Sequence, residues 1–133
     1  MLAVSAPIGL SVLIVDDEAP VRDMVGWLLD DAGYDTHSVS GGQEALAFMR
    51  AKRPIDLVLS DINMPGMDGI ELSRSIEIEF PRVPVLLISG RPRPEGVKAF
   101  ISKPLRASAL TSEIERMTSQ VRGAQVGRPE LAL

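Results

Sequence analysis

At 133 residues, 45% hydrophobic and 24% charged, the chain is long enough to bury its own core as one domain and too apolar to be a disordered segment. It holds no cysteine, which removes disulfide frameworks and thiolate metal sites and fits a reducing compartment such as the cytoplasm. The net charge of −4, without a Lys/Arg stripe, gives nucleic-acid binding no electrostatic footprint; no basic n-region precedes the apolar start, and no run reaches the roughly 18 residues of a membrane span.

Residues 1–9 are expected to be an N-terminal extension, 10–122 the domain, and 123–133 a flexible tail. Leu10 to Val15 is a short apolar run, the pattern of a strand buried on both faces, and Asp16-Asp17-Glu18 follows it. A helix is predicted from Pro20 to Ala32, with an apolar stripe of Val21, Met24, Val25, Leu28 and Leu29, a partly buried Trp27 and Gly33 as its stop. Tyr34 to Val39 alternates like an edge strand and carries the only histidine, His37, as a surface residue. Ser40 is the expected N-cap of a second helix containing Ala45, Leu46, Phe48 and Met49, with Pro54 beyond its end. A third strand lies in Ile55 to Ser60. Asp61 ends it, and Asn63-Met64-Pro65-Gly66-Met67-Asp68-Gly69 forms the loop behind, its methionines read as packing residues. A helix from Ile70 to Phe80 closes at Pro81, a strand from Val83 to Ile88 leads to Ser89-Gly90, and an edge strand from Val97 to Ile101 leads to Lys103-Pro104. The last helix is predicted from Arg106 to Arg122, with Leu110, Ile114 and Met117 on one face.

Alternating strands and helices imply parallel strands joined by right-handed crossovers, an α/β fold. The C-terminal ends of such strands gather at one sheet edge, where open parallel sheets bind ligands. Asp16, Asp17, Asp61, Ser89 and Lys103 each sit just past a strand, so together they build one pocket of carboxylates, a hydroxyl and a cation, a set suited to a divalent metal and a phosphoryl group. Singly, each has an ordinary reading as well. The aspartates at 16 and 17 could open a helix, Asp61 and Ser89-Gly90 could be turn residues, and Lys103 could be solvated.

In this order and at these strand ends, Asp16-Asp17, Asp61, the Asn63 to Gly69 loop, Ser89 and Lys103-Pro104 resemble the receiver domain of two-component response regulators, over about Leu10 to Val121. The resemblance implies a flavodoxin-like, doubly wound five-stranded sheet of order 2-1-3-4-5, the order common to flavodoxin and to receivers of this kind. It implies that Asp61 is the phosphoacceptor, with Lys103 and Ser89 contacting the phosphoryl group, and that Mg²⁺ is held by Asp16, Asp17, Asp61 and the Asn63 backbone carbonyl. It further implies Ser89 and Phe100 as switch residues and a cis peptide at Lys103-Pro104. The expected role is a stand-alone response regulator rather than an enzyme. A histidine kinase or histidine phosphotransfer protein would supply the phosphoryl group, and the output would be binding of a downstream protein or drainage of a phosphorelay. A small metal-dependent phosphatase and a phosphate-independent pseudo-receiver are the alternatives; against the first, Asn63 stands where a second acid–base carboxylate would be needed.

The chain departs from the family between the fourth and fifth strands. Seven residues, Gly90 to Gly96, separate Ser89 from Val97, and two are prolines. As a helix they would rise about 10 Å, less than the roughly 17 Å of strand to be re-crossed, whereas extended they reach about 23 Å. The crossover helix is therefore expected to be missing or reduced to a turn. Its loss would uncover Val85, Leu87 and Phe100, making the 91–100 region with the last helix a surface for a partner or a second copy, unless Pro92 and Pro94 fold over it as a rigid cover.

Overall fold

The computed structural model describes residues 9–51 and 53–131, with side chains described through Ser119. Residues 1–8 of the expected N-terminal extension, and the last two residues of the expected tail, lie outside the described residues. The elements are β1 (Ser11–Val15), α1 (Ala19–Asp31), β2 (Asp35–Val39), α2 (Gly42–Arg50), β3 (Leu57–Asp61), α3 (Gly69–Glu79), β4 (Val85–Ser89), β5 (Phe100–Ser102) and α4 (Ala107–Leu131). All strand pairs are parallel, in the order β2-β1-β3-β4-β5. The parallel α/β architecture follows the alternation of runs, and the order is that of the flavodoxin-like sheet the resemblance implied.

Strand geometry divides the core in two, because successive side chains point to opposite faces. Val12, Ile14, Leu57, Leu59, Leu86 and Ile88 face one side, where Val25 and Leu29 of α1 and Leu110 and Ile114 of α4 cover them. Leu13, Val15 and Val58 face the other, under Ala45, Leu46 and Met49 of α2 and Leu72 and Ile76 of α3. The central strands β1 and β3 are buried at every position, as all-apolar runs require, while β2 and β5 form the partly exposed edges.

Local signals account for most helix ends. After α1, the Tyr34 amide donates to the Leu29 carbonyl and the Gly33 amide to the Asp30 carbonyl, a Schellman closure that Gly33 permits with φ of 99°. At α3 the Asp68 carboxylate accepts from the Glu71 amide while Glu71 accepts from the Asp68 amide, a full capping box. The N-cap of α2 is Gly41 rather than Ser40, without a side-chain cap. Trp27 also differs from expectation. It is 71% exposed rather than partly buried, since α1 turns Val25 and Leu29 inward and leaves the opposite stripe in water. His37 is half-buried rather than a plain surface residue: its ring lies 5.2 Å from that of Phe48, with Nε2 3.5 Å from Asp35.

The chain has a fourth helix, but it follows β5. Between β4 and β5, residues 90–99 are non-helical apart from a turn at Glu95-Gly96. There the Val97 amide donates to the Pro94 carbonyl, and Gly96 takes φ of 86° at the turn's third position, the type II pattern that favours glycine. The turn shortens the fifth strand relative to expectation: Val97 to Ala99 stay in the linker and β5 begins at Phe100. Leu87 is only 3% exposed, so that residue is not part of an uncovered flank; Val85 and Phe100 are half-buried. Finally, α4 continues through Leu131, past Arg122 where the sequence suggested its end.

Candidate functional site

The register of the central strands brings the polar residues together. Pairing of Val15 with Ser60 and of Asp61 with Ile88 aligns the C-terminal ends of β1, β3 and β4. The ladder then runs on beyond β5, where the Lys103 amide donates to the Ser89 carbonyl at 2.9 Å. The Lys103–Pro104 peptide is cis, as the resemblance implied. Lys103 Nζ lies 3.3 Å from Asp61 Oδ1.

Three carboxylates converge opposite that lysine. One oxygen each from Asp16, Asp17 and Asp61 lies within 4.8 Å of the other two; Asp16 and Asp61 are buried and Asp17 is exposed. Asp16 is fixed by its own turn, its Oδ1 accepting from the Glu18 amide at 2.8 Å while its carbonyl accepts from Arg22 Nη1 at 2.8 Å. Burial is the largest influence on the Asp61 carboxyl and pushes its pKa up; Lys103 opposes this, and the charges of Asp17 and Glu18 add to it. Asp16 is raised in the same way, first by burial, with the Asp61 and Asp17 charges contributing and the Glu18 amide and Lys103 working against them. Carboxylates crowded at this spacing lack enough nearby positive charge. Their oxygens are the hard donors that Mg²⁺ takes, so the residues present fit that ion.

Residues 12–115 match the response regulator receiver domain family. The chain belongs to this family. Among its relatives, the nitrogen assimilation regulatory protein NtrX of Azorhizobium caulinodans is 37% identical over 121 residues, which make up 84% of this chain but 26% of that protein. The chain likewise spans about half of the phosphate regulon regulator PhoB of Pseudomonas aeruginosa, at 31% identity. Chemotaxis protein CheY-3 of Vibrio cholerae is 34% identical over 119 residues, covering 81% of this chain and 91% of that one. Among solved structures, Vibrio cholerae CheY4 superposes with a TM-score of 0.75 at 31% identity, over 81% of this chain and 98% of that one.

Three features of this receiver's site escaped the sequence. Ser89 Oγ donates to Asn63 Oδ1 at 2.9 Å and accepts from the Arg91 amide at 3.0 Å. A hydroxyl has one proton, so Ser89 can donate to another oxygen only by leaving Asn63. Asn63→Ala should release Ser89 from this bond. In a double-mutant cycle with Ser89→Ala, urea denaturation should give a coupling of about 0.5–1.5 kcal/mol, and additive effects would mean the bond contributes nothing. The second feature is Arg22, whose bond to the Asp16 carbonyl ties α1 to the acidic turn after β1.

The third is Gly69. A Cβ there would sit 2.8 Å from Ile62 Cα and closer still to the Asp61 carbonyl oxygen. The glycine therefore lets the start of α3 lie directly on the backbone that carries Asp61, and its amide donates to the Ile62 carbonyl at 2.9 Å. Gly69→Ala is expected to destabilise by about 1–3 kcal/mol, because backbone cannot yield as a side chain can. Chemical denaturation measures this, and a change within about 0.5 kcal/mol, the range of a neutral surface substitution, would contradict the close approach. The methionines of the same loop pack as expected, Met64 inside the α2/α3 core and Met67 against it and over Gly42.

Proposed function

We infer that this receiver is a phosphoacceptor switch in which Asp61 accepts a phosphoryl group from a phosphohistidine. The observation that carries the reading is the convergence of a buried Asp61 with Asp16, Asp17 and Lys103 at one sheet edge. The Asp61 carboxylate attacks phosphorus in line; the new P–O bond forms as the P–N bond breaks, and the electron pair leaves on the donor's imidazole. Lys103 Nζ, a mobile point charge 3.3 Å from Asp61 Oδ1, follows a phosphoryl oxygen as charge develops there. Ser89 exchanges its bond to Asn63 for one to another phosphoryl oxygen, and because its Oγ also accepts from the Arg91 amide, that exchange pulls on the start of the 90–99 linker. Asp16, Asp17, Asp61 and the Asn63 carbonyl would hold Mg²⁺, which when bound neutralises charge between the attacking carboxylate and the phosphoryl oxygens.

The donor is a histidine kinase or histidine phosphotransfer protein, and the output is binding of a downstream protein or removal of phosphate from a relay. The match to CheY-3 covers 91% of that protein and the match to NtrX 26%, so receivers similar to this one occur in both short and much longer proteins. Among the described residues no helix is long and apolar enough to cross a membrane. Incubation with acetyl phosphate and Mg²⁺, followed by intact-protein mass spectrometry, tests the reading: one added phosphate is expected. An unlabelled but folded protein would instead indicate a phosphate-independent pseudo-receiver, and sustained turnover of a generic phosphomonoester would indicate a phosphatase.

A further inference from the structure

Asp17 is the least supported of the three clustered carboxylates. It is exposed, and among the described residues neither its side chain nor its backbone makes a hydrogen bond, so its neighbours set its direction. On one side stands Glu18, the N-cap of α1, whose side chain makes no capping bond. On the other stands the peptide that joins Asp16 to Asp17. A peptide unit is planar, so fixing the Asp16 carbonyl also fixes the Asp17 amide and Cα that share its plane.

Arg22 holds that carbonyl. Its Nη1 donates to it at 2.8 Å across six residues, and among the described residues no other donor reaches it. Arg22 is half-buried near the start of α1, lines a cleft of about 170 Å³ between that helix and β2, and forms no ion pair among the described residues. It meets Asp16 at the carbonyl rather than at the carboxylate, whose Oδ1 accepts from the Glu18 amide. The bond therefore orients the turn without pairing an acid. Asp16 is only 4% exposed, so loss of the donor would leave a buried carbonyl unpaired; the peptide would turn to find another partner and carry Asp17 with it.

We propose that Arg22 is a positioning residue for the Mg²⁺ site, its bond to the Asp16 carbonyl setting the peptide plane that aims Asp17 at Asp16 and Asp61. The inference rests on the reading of these aspartates as the residues that would hold the ion, and it adds one that touches neither the ion nor the phosphoryl group. The sign of the effect separates positioning from charge. Removing a cation beside a cation site should tighten Mg²⁺ binding through electrostatics alone, whereas removing a tether should weaken it. Residues that orient metal ligands from behind are typically worth about 10- to 100-fold in affinity.

Arg22→Met keeps the apolar stem and removes the donor; Arg22→Lys keeps a charge and a donor at the end of a stem. Titration with MgCl₂, followed by the amide resonances of residues 16–18, gives the dissociation constant of the folded protein, which a loss of global stability does not alter. Arg22→Met should bind about tenfold more weakly than the wild type, and Arg22→Lys should recover most of that loss. In EDTA the Glu18 amide, which donates to Asp16 Oδ1, should exchange faster in Arg22→Met relative to the core amides. Arg22→Met that binds Mg²⁺ as tightly as the wild type, or more tightly, overturns the proposal alone, as does Arg22→Lys binding as weakly as Arg22→Met. Wild type whose resonances do not respond to Mg²⁺ removes the ion site itself, and the proposal with it.

Discussion

Asp61→Asn is expected to abolish labelling by acetyl phosphate, while the wild type takes up one phosphate that hydroxylamine removes, as it does an acyl phosphate. The amide keeps the size of the carboxylate but has no nucleophilic oxygen of comparable strength. No other carboxylate of the cluster shares Asp61's combination of burial and a lysine at 3.3 Å. Asp16 is buried too, but its Oδ1 is engaged by the Glu18 amide, and Asp17 faces solvent. Lys103→Ala should retain the acceptor and slow labelling by roughly 10²-fold or more, the scale seen when one preorganised electrostatic donor is removed from a transition state. The two variants separate the bond-forming residue from the one that compensates charge. Labelling of Asp61→Asn at the wild-type rate would move the acceptor elsewhere, and labelling of Lys103→Ala at the wild-type rate would reduce the lysine to a structural ion pair.

The outline of this site was legible because the chemistry follows strand ends. Runs such as Leu10 to Val15 and Leu57 to Leu59 are apolar at nearly every position, which only a strand covered on both faces tolerates, so Asp16 and Asp61 could be assigned to one edge before their distance was known. The short crossover was legible from chain reach and its prolines. The fifth strand was less so. Val97 to Ile101 has the composition of a strand, but the type II turn at Pro94 to Val97 takes up Val97; the Leu87 amide donates to the Ala99 carbonyl, and the register with β4 starts at Phe100. Along β4 the exposure falls from half-buried Val85 to Leu87 at 3%, a difference that strand composition alone does not signal. The Ser89–Asn63 bond had no signal in spacing, since it joins the last residue of β4 to a loop side chain 26 residues away, and tertiary packing sets both directions. The capping box at Asp68 and Glu71 did have one, the three-residue interval of the motif itself.

Millimolar Mg²⁺ should raise the melting temperature of the unphosphorylated protein by several degrees. The apo site holds three carboxylates within 4.8 Å, and the pKa values of Asp16 and Asp61 are both shifted upward, burial being the main cause and neighbouring carboxylates adding to it. A carboxyl group whose folded pKa lies above its unfolded value favours the fold in its protonated form. That contribution is complete below the ordinary carboxylate range and is lost as pH rises through the raised values. In EDTA, therefore, these two groups should cost stability on going from mildly acidic to neutral pH, and Mg²⁺ should recover it at neutral pH. At about ten times its dissociation constant a ligand that binds only the folded state adds about 1.4 kcal/mol, enough to move the midpoint by roughly 3–8 °C in a domain of this size. Asp17→Asn should weaken the metal response, because it removes one of the three carboxylates that would hold the ion, and should leave the EDTA-treated protein as stable as the wild type or more so, because it also removes a repelling charge. Thermal denaturation with and without Mg²⁺, for both proteins, measures all four states. Equal midpoints for the wild type in Mg²⁺ and in EDTA would mean that the three aspartates do not form an ion site, whatever their spacing.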